Sequence, residues 1–107
     1  MQYKELGGSM DERIKQISMH YGLNNQLEQA EEECAELILA IQKFKRHRGQ
    51  FIKTYSDNVR EETADVYIMM CQLMYLMGYD SIMEIVDKKL DRQIKRMEKE
   101  DYYGKAE

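Results

Sequence analysis

The sequence predicts an all-α, four-helix-bundle-like fold. Three observations carry that expectation. Apolar residues recur at three- and four-residue intervals in four stretches. No stretch alternates convincingly at strand period. Proline is absent from all 107 residues, and the six glycines fall at a few punctuating points.

Each helical stretch follows a plausible cap. Ser9 and Glu12 have capping-box spacing and open a short helix that ends near Tyr21–Gly22. Asn25 and Glu28 open the second, which runs to about Arg48–Gly49 with Leu27, Ala30, Cys34, Leu37, Ile38, Ile41 and Phe44 on its apolar side. Asn58 and Glu61 open the third, carrying Val59, Val66, Met70, Leu73 and Met77 to a stop at Gly78. Ser81 and Glu84 open the fourth, with Ile82, Ile85, Val86, Leu90, Ile94 and Met97. The segment from Gly49 to Asp57 is polar apart from Phe51, Ile52 and Tyr55, and reads as a loop or one more helical turn.

Residues 1–9 end in Gly-Gly-Ser and read as a flexible leader of the kind added for expression; residues 10–107 read as a single all-α domain. No apolar run is long enough to cross a bilayer and no signal-peptide pattern opens the chain, so a cytoplasmic protein without a membrane partner is expected. Cys34 and Cys71 do not form a CxxC pair. Both lie in apolar-periodic stretches and read as buried reduced thiols. Met69, Met70, Met74 and Met77 fall on an apolar face and read as adaptable core or dimer packing. A net charge of −4 argues against non-specific nucleic-acid binding.

That net charge conceals a segregation. No lysine or arginine occurs from Gln16 to Gln42, while Glu28, Glu31, Glu32, Glu33 and Glu36 crowd together there. Lys43, Lys45, Arg46, Arg48, Lys53 and Arg60 follow as a basic block. Glu61 to Asp87 is again acidic with no lysine or arginine, and Lys88, Lys89, Arg92, Lys95, Arg96 and Lys99 form a second basic block. Carboxylates stacked at helical spacing repel one another and are ordinarily diluted with cationic neighbours. Two readings follow. A solvated acidic face near a helix start is favoured by the helix dipole alone. Alternatively, Glu33 with Glu36, and Glu62 with Asp65, each three apart and on one face, converge from neighbouring antiparallel helices around a hard divalent cation. Glu33 borders the apolar stripe, and an unpaired carboxylate buried near a core is costly unless a cation compensates it. Neither His20 nor His47 has a glutamate three residues before it, so the Glu-x-x-His pattern of di-iron bundles is missing. Magnesium, with manganese as a substitute, suits an all-carboxylate set better than zinc or redox iron.

Taken together, "EECAE" at Glu32–Glu36, "ETAD" at Glu62–Asp65 and the basic "KLDR" at Lys89–Arg92 give a pattern that resembles the MazG-like all-α nucleoside triphosphate pyrophosphohydrolases. The resemblance covers about residues 19 to 97 in order and helical context. It implies Mg²⁺-dependent hydrolysis of a (d)NTP to the monophosphate and pyrophosphate, in nucleotide-pool house-cleaning. It implies that Glu33, Glu36, Glu62 and Asp65 hold metal, with Glu32 and Glu61 as accessory carboxylates, one of them orienting the attacking water. It also implies that Lys89 and Arg92, with Arg96 and Lys45, neutralise the triphosphate, and that the protein is a homodimer or homotetramer. Base contacts are less legible: Tyr21 and Gln26 are the candidates, with His20, Asn24 and Gln29 nearby. The competing expectations are a same-fold hydrolase of another pyrophosphate, such as phosphoribosyl-ATP, and a non-catalytic helical interaction module.

Overall fold

The structure is a computed structural model that describes residues 10–47 and 53–106, the side chains of 103–106 excepted. Three helices account for nearly all of it: α1 (Glu12–Arg46), α2 (Lys53–Met77) and α3 (Tyr79–Ala106), with no strand among the described residues. The chain divides into two compact units, Met1–Met77 and Gly78–Glu107.

The first two expected helices are joined. Asp11, one residue before α1, caps it: its carboxylate accepts from the Arg13 backbone N–H at 2.9 Å and pairs with the Arg13 side chain at 2.6 Å. The expected cap Ser9 lies outside the described residues. The expected stop at Tyr21–Gly22 survives as a kink, because Gly22 has φ 80° and ψ 168° inside an otherwise helical run. Asn25 does not open a helix. Its side-chain amide instead donates to the Tyr21 carbonyl at 2.8 Å, across the break. Ser18, fully buried just before the kink, returns its hydroxyl to the Ile14 carbonyl at 2.7 Å.

α2 begins at Lys53, five residues before the expected cap Asn58. The Lys53–Asp57 pair at 2.6 Å, reinforced by Arg60 to Asp57 at 3.2 Å, lies at helical spacing and supports this added first turn. Of the expected loop, residues 53–57 are therefore helical, while Phe51 and Ile52 lie outside the described residues. Gly78, at φ 111°, separates α2 from α3 and needs glycine for that backbone. α3 starts at Tyr79, so Ser81 is inside it rather than capping it.

α1 and α2 pack together as an antiparallel hairpin. Lys43 shares a cavity with Thr54 to Glu61, Glu33 meets Glu62 and Asp65, and Gln26 shares a cavity with Met69 and Gln72, a register that runs in opposite directions along the two helices. His47 stacks on Tyr55 at 4.4 Å near the turn. The buried apolar residues are few: Ala30, Ala40, Met69 and Cys71. Two alanines on α1 allow close approach of the helix axes. Cys71 is buried as expected, but Cys34 is only half-buried; both thiols are free. Of the four clustered methionines, Met69 is buried, Met70 and Met74 are half-buried, and Met77 is exposed.

Much of the expected apolar stripe is open to solvent in the single chain, including Leu27, Ile38, Ile41 and Phe44 on α1, and Ile85, Leu90, Ile94 and Met97 on α3. The reason on α1 is geometric. Within its own unit, α2 covers one narrow seam of α1, and the broader stripe that these residues form extends past it.

The Gly22 conformation lies in a region essentially reserved for glycine. A Cβ added there meets nothing within 4 Å, so the constraint is backbone alone. Gly22→Ala is expected to cost about 1–3 kcal/mol, read as a fall in melting temperature of several degrees. An unchanged melting temperature would mean that α1 runs straight through residue 22.

Candidate metal centre

The antiparallel register sets carboxylates against one another. Glu33 on α1 and Glu62 and Asp65 on α2 each offer a carboxylate oxygen, and these three atoms lie within 4.8 Å of one another. The largest oxygen–oxygen separation in an octahedral shell of ~2.1 Å bonds is about 4.2 Å, so a small inward movement converts the cluster into a ligand set. Glu36, one turn beyond Glu33, also faces Glu62 closely enough to act on it.

The electrostatics of the cluster are unrelieved. Burial first, then the negative charges of Glu36, Asp65 and Glu33, together with a hydrogen bond to Glu36, push the Glu62 carboxyl above the ordinary carboxylate range. Gln29 donates to Glu33 Oε1 at 2.9 Å. Glu33 Oε2 and Glu62 Oε2 are both shielded from solvent and have no hydrogen-bond partner. Among the described residues the ion pairs are Arg13–Asp11, Lys15–Glu12 and Asp57 with Lys53 and Arg60, and none involves a cluster acid. An all-oxygen donor set with two orphaned oxygens and no internal cation has the chemistry of a hard divalent-cation site.

The other expected site residues distribute as follows. Glu32 is exposed and lines a cavity of about 570 Å³ beside the cluster, together with Tyr21, Gln26 and Gln29. Glu61 is exposed and lines a different cavity with Lys43, Tyr55 and Asp57. Lys45 is exposed beside Gln42 and Arg46. It lies twelve residues beyond Glu33, which is about 18 Å along α1. Lys89, Arg92 and Arg96 are exposed on α3. His20 and Tyr21 are exposed just before the kink, with their rings edge to face at 4.7 Å. Gln26 is 4% exposed.

One residue of interest escaped the sequence reading. Gln72 on α2 is 3% exposed, lines the same cavity as Gln26, and its Oε1 likewise has no hydrogen-bond partner. Its signal was present: it is the only charged or amide side chain from Val66 to Met77.

In comparisons with known proteins, the chain matches no family model, no curated protein and no solved structure.

The raised Glu62 carboxyl links pH to stability. Because the folded state holds this proton more tightly than the unfolded chain, the stabilisation it contributes is complete below the ordinary value of 4.5 and is lost as pH rises through the elevated folded value. In EDTA, the wild-type melting temperature is therefore expected to drop, relative to Glu62→Gln, as pH climbs above 4.5 towards neutrality, leaving the variant the more stable protein at pH 7. Parallel pH profiles for the two proteins would show that the cluster is not under this strain.

Proposed function

We propose that this protein is a Mg²⁺-dependent nucleoside triphosphate pyrophosphohydrolase, adding water across the α–β phosphoanhydride to release a monophosphate and pyrophosphate. The observation that carries the reading is the convergence of Glu33, Glu62 and Asp65, with two orphaned carboxylate oxygens, on facing sides of α1 and α2. The MazG-like pattern in the sequence agrees with it. Glu33, Glu62 and Asp65, with Glu36 alongside, would hold the ion. When bound, Mg²⁺ neutralises phosphate charge and acidifies water at the site, and manganese serves the same purpose.

The chain's own residues divide the remaining work. Gln29 fixes one oxygen of Glu33 and so orients that carboxylate. Glu32, at the edge of the adjoining cavity, is better placed than Glu61 to accept a proton from the attacking water, since Glu61 faces elsewhere. Lys89, Arg92 and Arg96, with Lys45, are proposed to neutralise the triphosphate and the departing pyrophosphate. Lys45 lies too far along α1 from Glu33 of its own chain to reach the same ion, so its contribution requires a second copy or the far end of an extended substrate.

A homodimer or homotetramer follows from the same reading. Ile38, Leu39 and Ile41 on α1 and Ile68 on α2 are exposed large apolar residues of one packed hairpin, a surface that self-association would cover. The same residues are the observation that favours the rival reading, a helical module that docks on another protein without catalysis. Phosphoribosyl-ATP, as an alternative substrate, would use the same acids.

Three measurements test these readings. With a panel of ribo- and deoxyribonucleoside triphosphates and Mg²⁺, monophosphate and pyrophosphate are expected in equal amounts, and Glu36→Gln or Asp65→Asn is expected to lower turnover by at least about 100-fold while helicity is retained. Diphosphate with inorganic phosphate would mean that another bond is cleaved, and unaltered turnover in both variants would remove the acids from the chemistry. Mg²⁺ at 100 times its dissociation constant is expected to stabilise the fold by about 2.7 kcal/mol, whereas an interaction module would show no such shift. Light scattering is expected to give a dimeric or tetrameric mass, reduced towards the monomer by Leu39→Glu.

A further inference from the structure

α1 carries two heptad-spaced stripes, and the hairpin uses only one of them. Gln26, Ala30, Glu33, Leu37 and Ala40, spaced four and three apart in turn, are buried or half-buried along the seam with α2. One position further on, Leu27, Glu31, Cys34, Ile38, Ile41 and Lys45 repeat the same spacing. Each residue turns a helix by about 100°, so this second stripe looks out from one flank of the hairpin, where a bundle would place another helix. Cys34 is half-buried and the other five are exposed.

The stripe is acidic towards one end, apolar through its middle and basic at the other. Among the described residues, neither Glu31 nor Lys45 joins an ion pair. The stripe complements itself only when reversed. A copy laid parallel would set Glu31 on Glu31 and Lys45 on Lys45, whereas an antiparallel copy exchanges them. The matching stripe of α2, one position on from its own seam, is Val59, Thr63, Val66, Met70, Leu73 and Met77. It offers no charge, so α1 laid across it would leave both Glu31 and Lys45 unpaired.

We propose that α1 pairs antiparallel with α1 of a second copy, about a two-fold axis level with Leu39 and Ala40, and that each chain's Lys45 thereby reaches the other's acids. Ile38 then meets the partner's Ile41, and the partner's Lys45 comes level with Cys34. Along α1, Cys34 lies one residue, about 1.5 Å, beyond Glu33 and three residues, about 4.5 Å, beyond Glu31. With helix axes about 8–10 Å apart, the partner's ammonium lies against Glu31 and at the edge of the cluster of Glu33, Glu62 and Asp65. The separation of about 18 Å that keeps Lys45 from Glu33 within one chain is thus bridged from the other. Leu39 and Ile68, each one position before a seam residue, look out from the opposite flank and are left for the further contact of a tetramer. The pairing rests on the α1 stripe alone; that the delivered lysine serves a substrate phosphate rests on the hydrolase reading.

Charge reversal on the full chain tests the pairing, read by sedimentation at low salt in EDTA. Glu31→Lys and Lys45→Glu are each expected to raise the dimer dissociation constant at least about 10-fold, because each sets like charges together twice per dimer. The double variant is expected to regain the wild-type constant. So is an equimolar mixture of the two single variants, in which every cross-chain pair is attractive again. Both positions are exposed, so unchanged helicity in the single variants would show the hairpin to be intact. Single variants that associate like the wild type would overturn the proposal, as would a monomeric wild type or a weakening that neither the double variant nor the mixture repairs. The hydrolase reading fails separately. With an active wild type, mixing Lys45→Met with Asp65→Asn, each impaired alone, is expected to restore about a quarter of its rate, since half the dimers are mixed and each holds one complete site. No restoration would overturn the delivery of Lys45 between chains. Repair by charge exchange without pyrophosphate release would remove the enzyme and leave the pairing, whereas pyrophosphate release without that repair would remove the pairing and leave the enzyme.

Discussion

The α1–α2 register is the constraint on which the rest depends. Burying Ala30, Ala40, Met69 and Cys71 fixes how the two helices slide and rotate against each other. The same register places Glu33 against Glu62 and Asp65. A slip of one turn, about 5.4 Å, would move the buried seam out of step. Apolar packing thus holds together charges that, left alone, would separate. A cation at that point would join the two helices across their most repulsive contact and convert the main electrostatic cost of the hairpin into a source of stability.

The kink at Gly22 adds a second consequence of the same packing. Residues before it and after it share one cavity with α2, with Ile17 and Tyr21 on one side of the break and Gln26 on the other. An unbroken helix would present residues 17, 21 and 26 as parts of one continuous spiral. The glycine, lacking a Cβ, lets the chain change direction where the cavity opens, and Asn25 closes part of the gap with a hydrogen bond to Tyr21. Backbone freedom at a single residue is therefore tied to the shape of the cavity.

What was legible in the sequence followed from periodicity, and what was not followed from chemistry that serves more than one purpose. Helical character and the three-residue spacing of Glu62 and Asp65 read directly, because spacing along a helix translates into position on its face. Helix starts were less legible. Asn25, Asn58 and Ser81 resemble caps, yet all three lie inside helices, since the side chains that cap are also tolerated within them when they bond to a carbonyl or face solvent. At α2 the i,i+4 Lys53–Asp57 pair extended the helix past the expected cap. Burial was least legible. Leu27, Ile41 and Phe44 have core periodicity but lie outside the seam that one partner helix covers. Gln72 was overlooked because apolar neighbours make a lone amide look incidental. It is informative for that very reason, since a polar group within a packed stripe must either find a partner or remain unsatisfied.

The orientation of the acids bears on the choice between an enzyme and an interaction module. A surface that recruits a basic protein partner works best with carboxylates extended into solvent, where lysine and arginine side chains can reach them. Glu31 and Glu32 are exposed in that manner. Glu33 Oε2 and Glu62 Oε2 are not, because each is shielded and unpartnered between two helices. The acidic block therefore contains two populations, an outer one that any solvated helix could display and an inner one whose Glu33 Oε2 and Glu62 Oε2 are shielded and unpartnered. The 570 Å³ cavity is lined by Gln29, which donates to Glu33, and so opens next to the inner population.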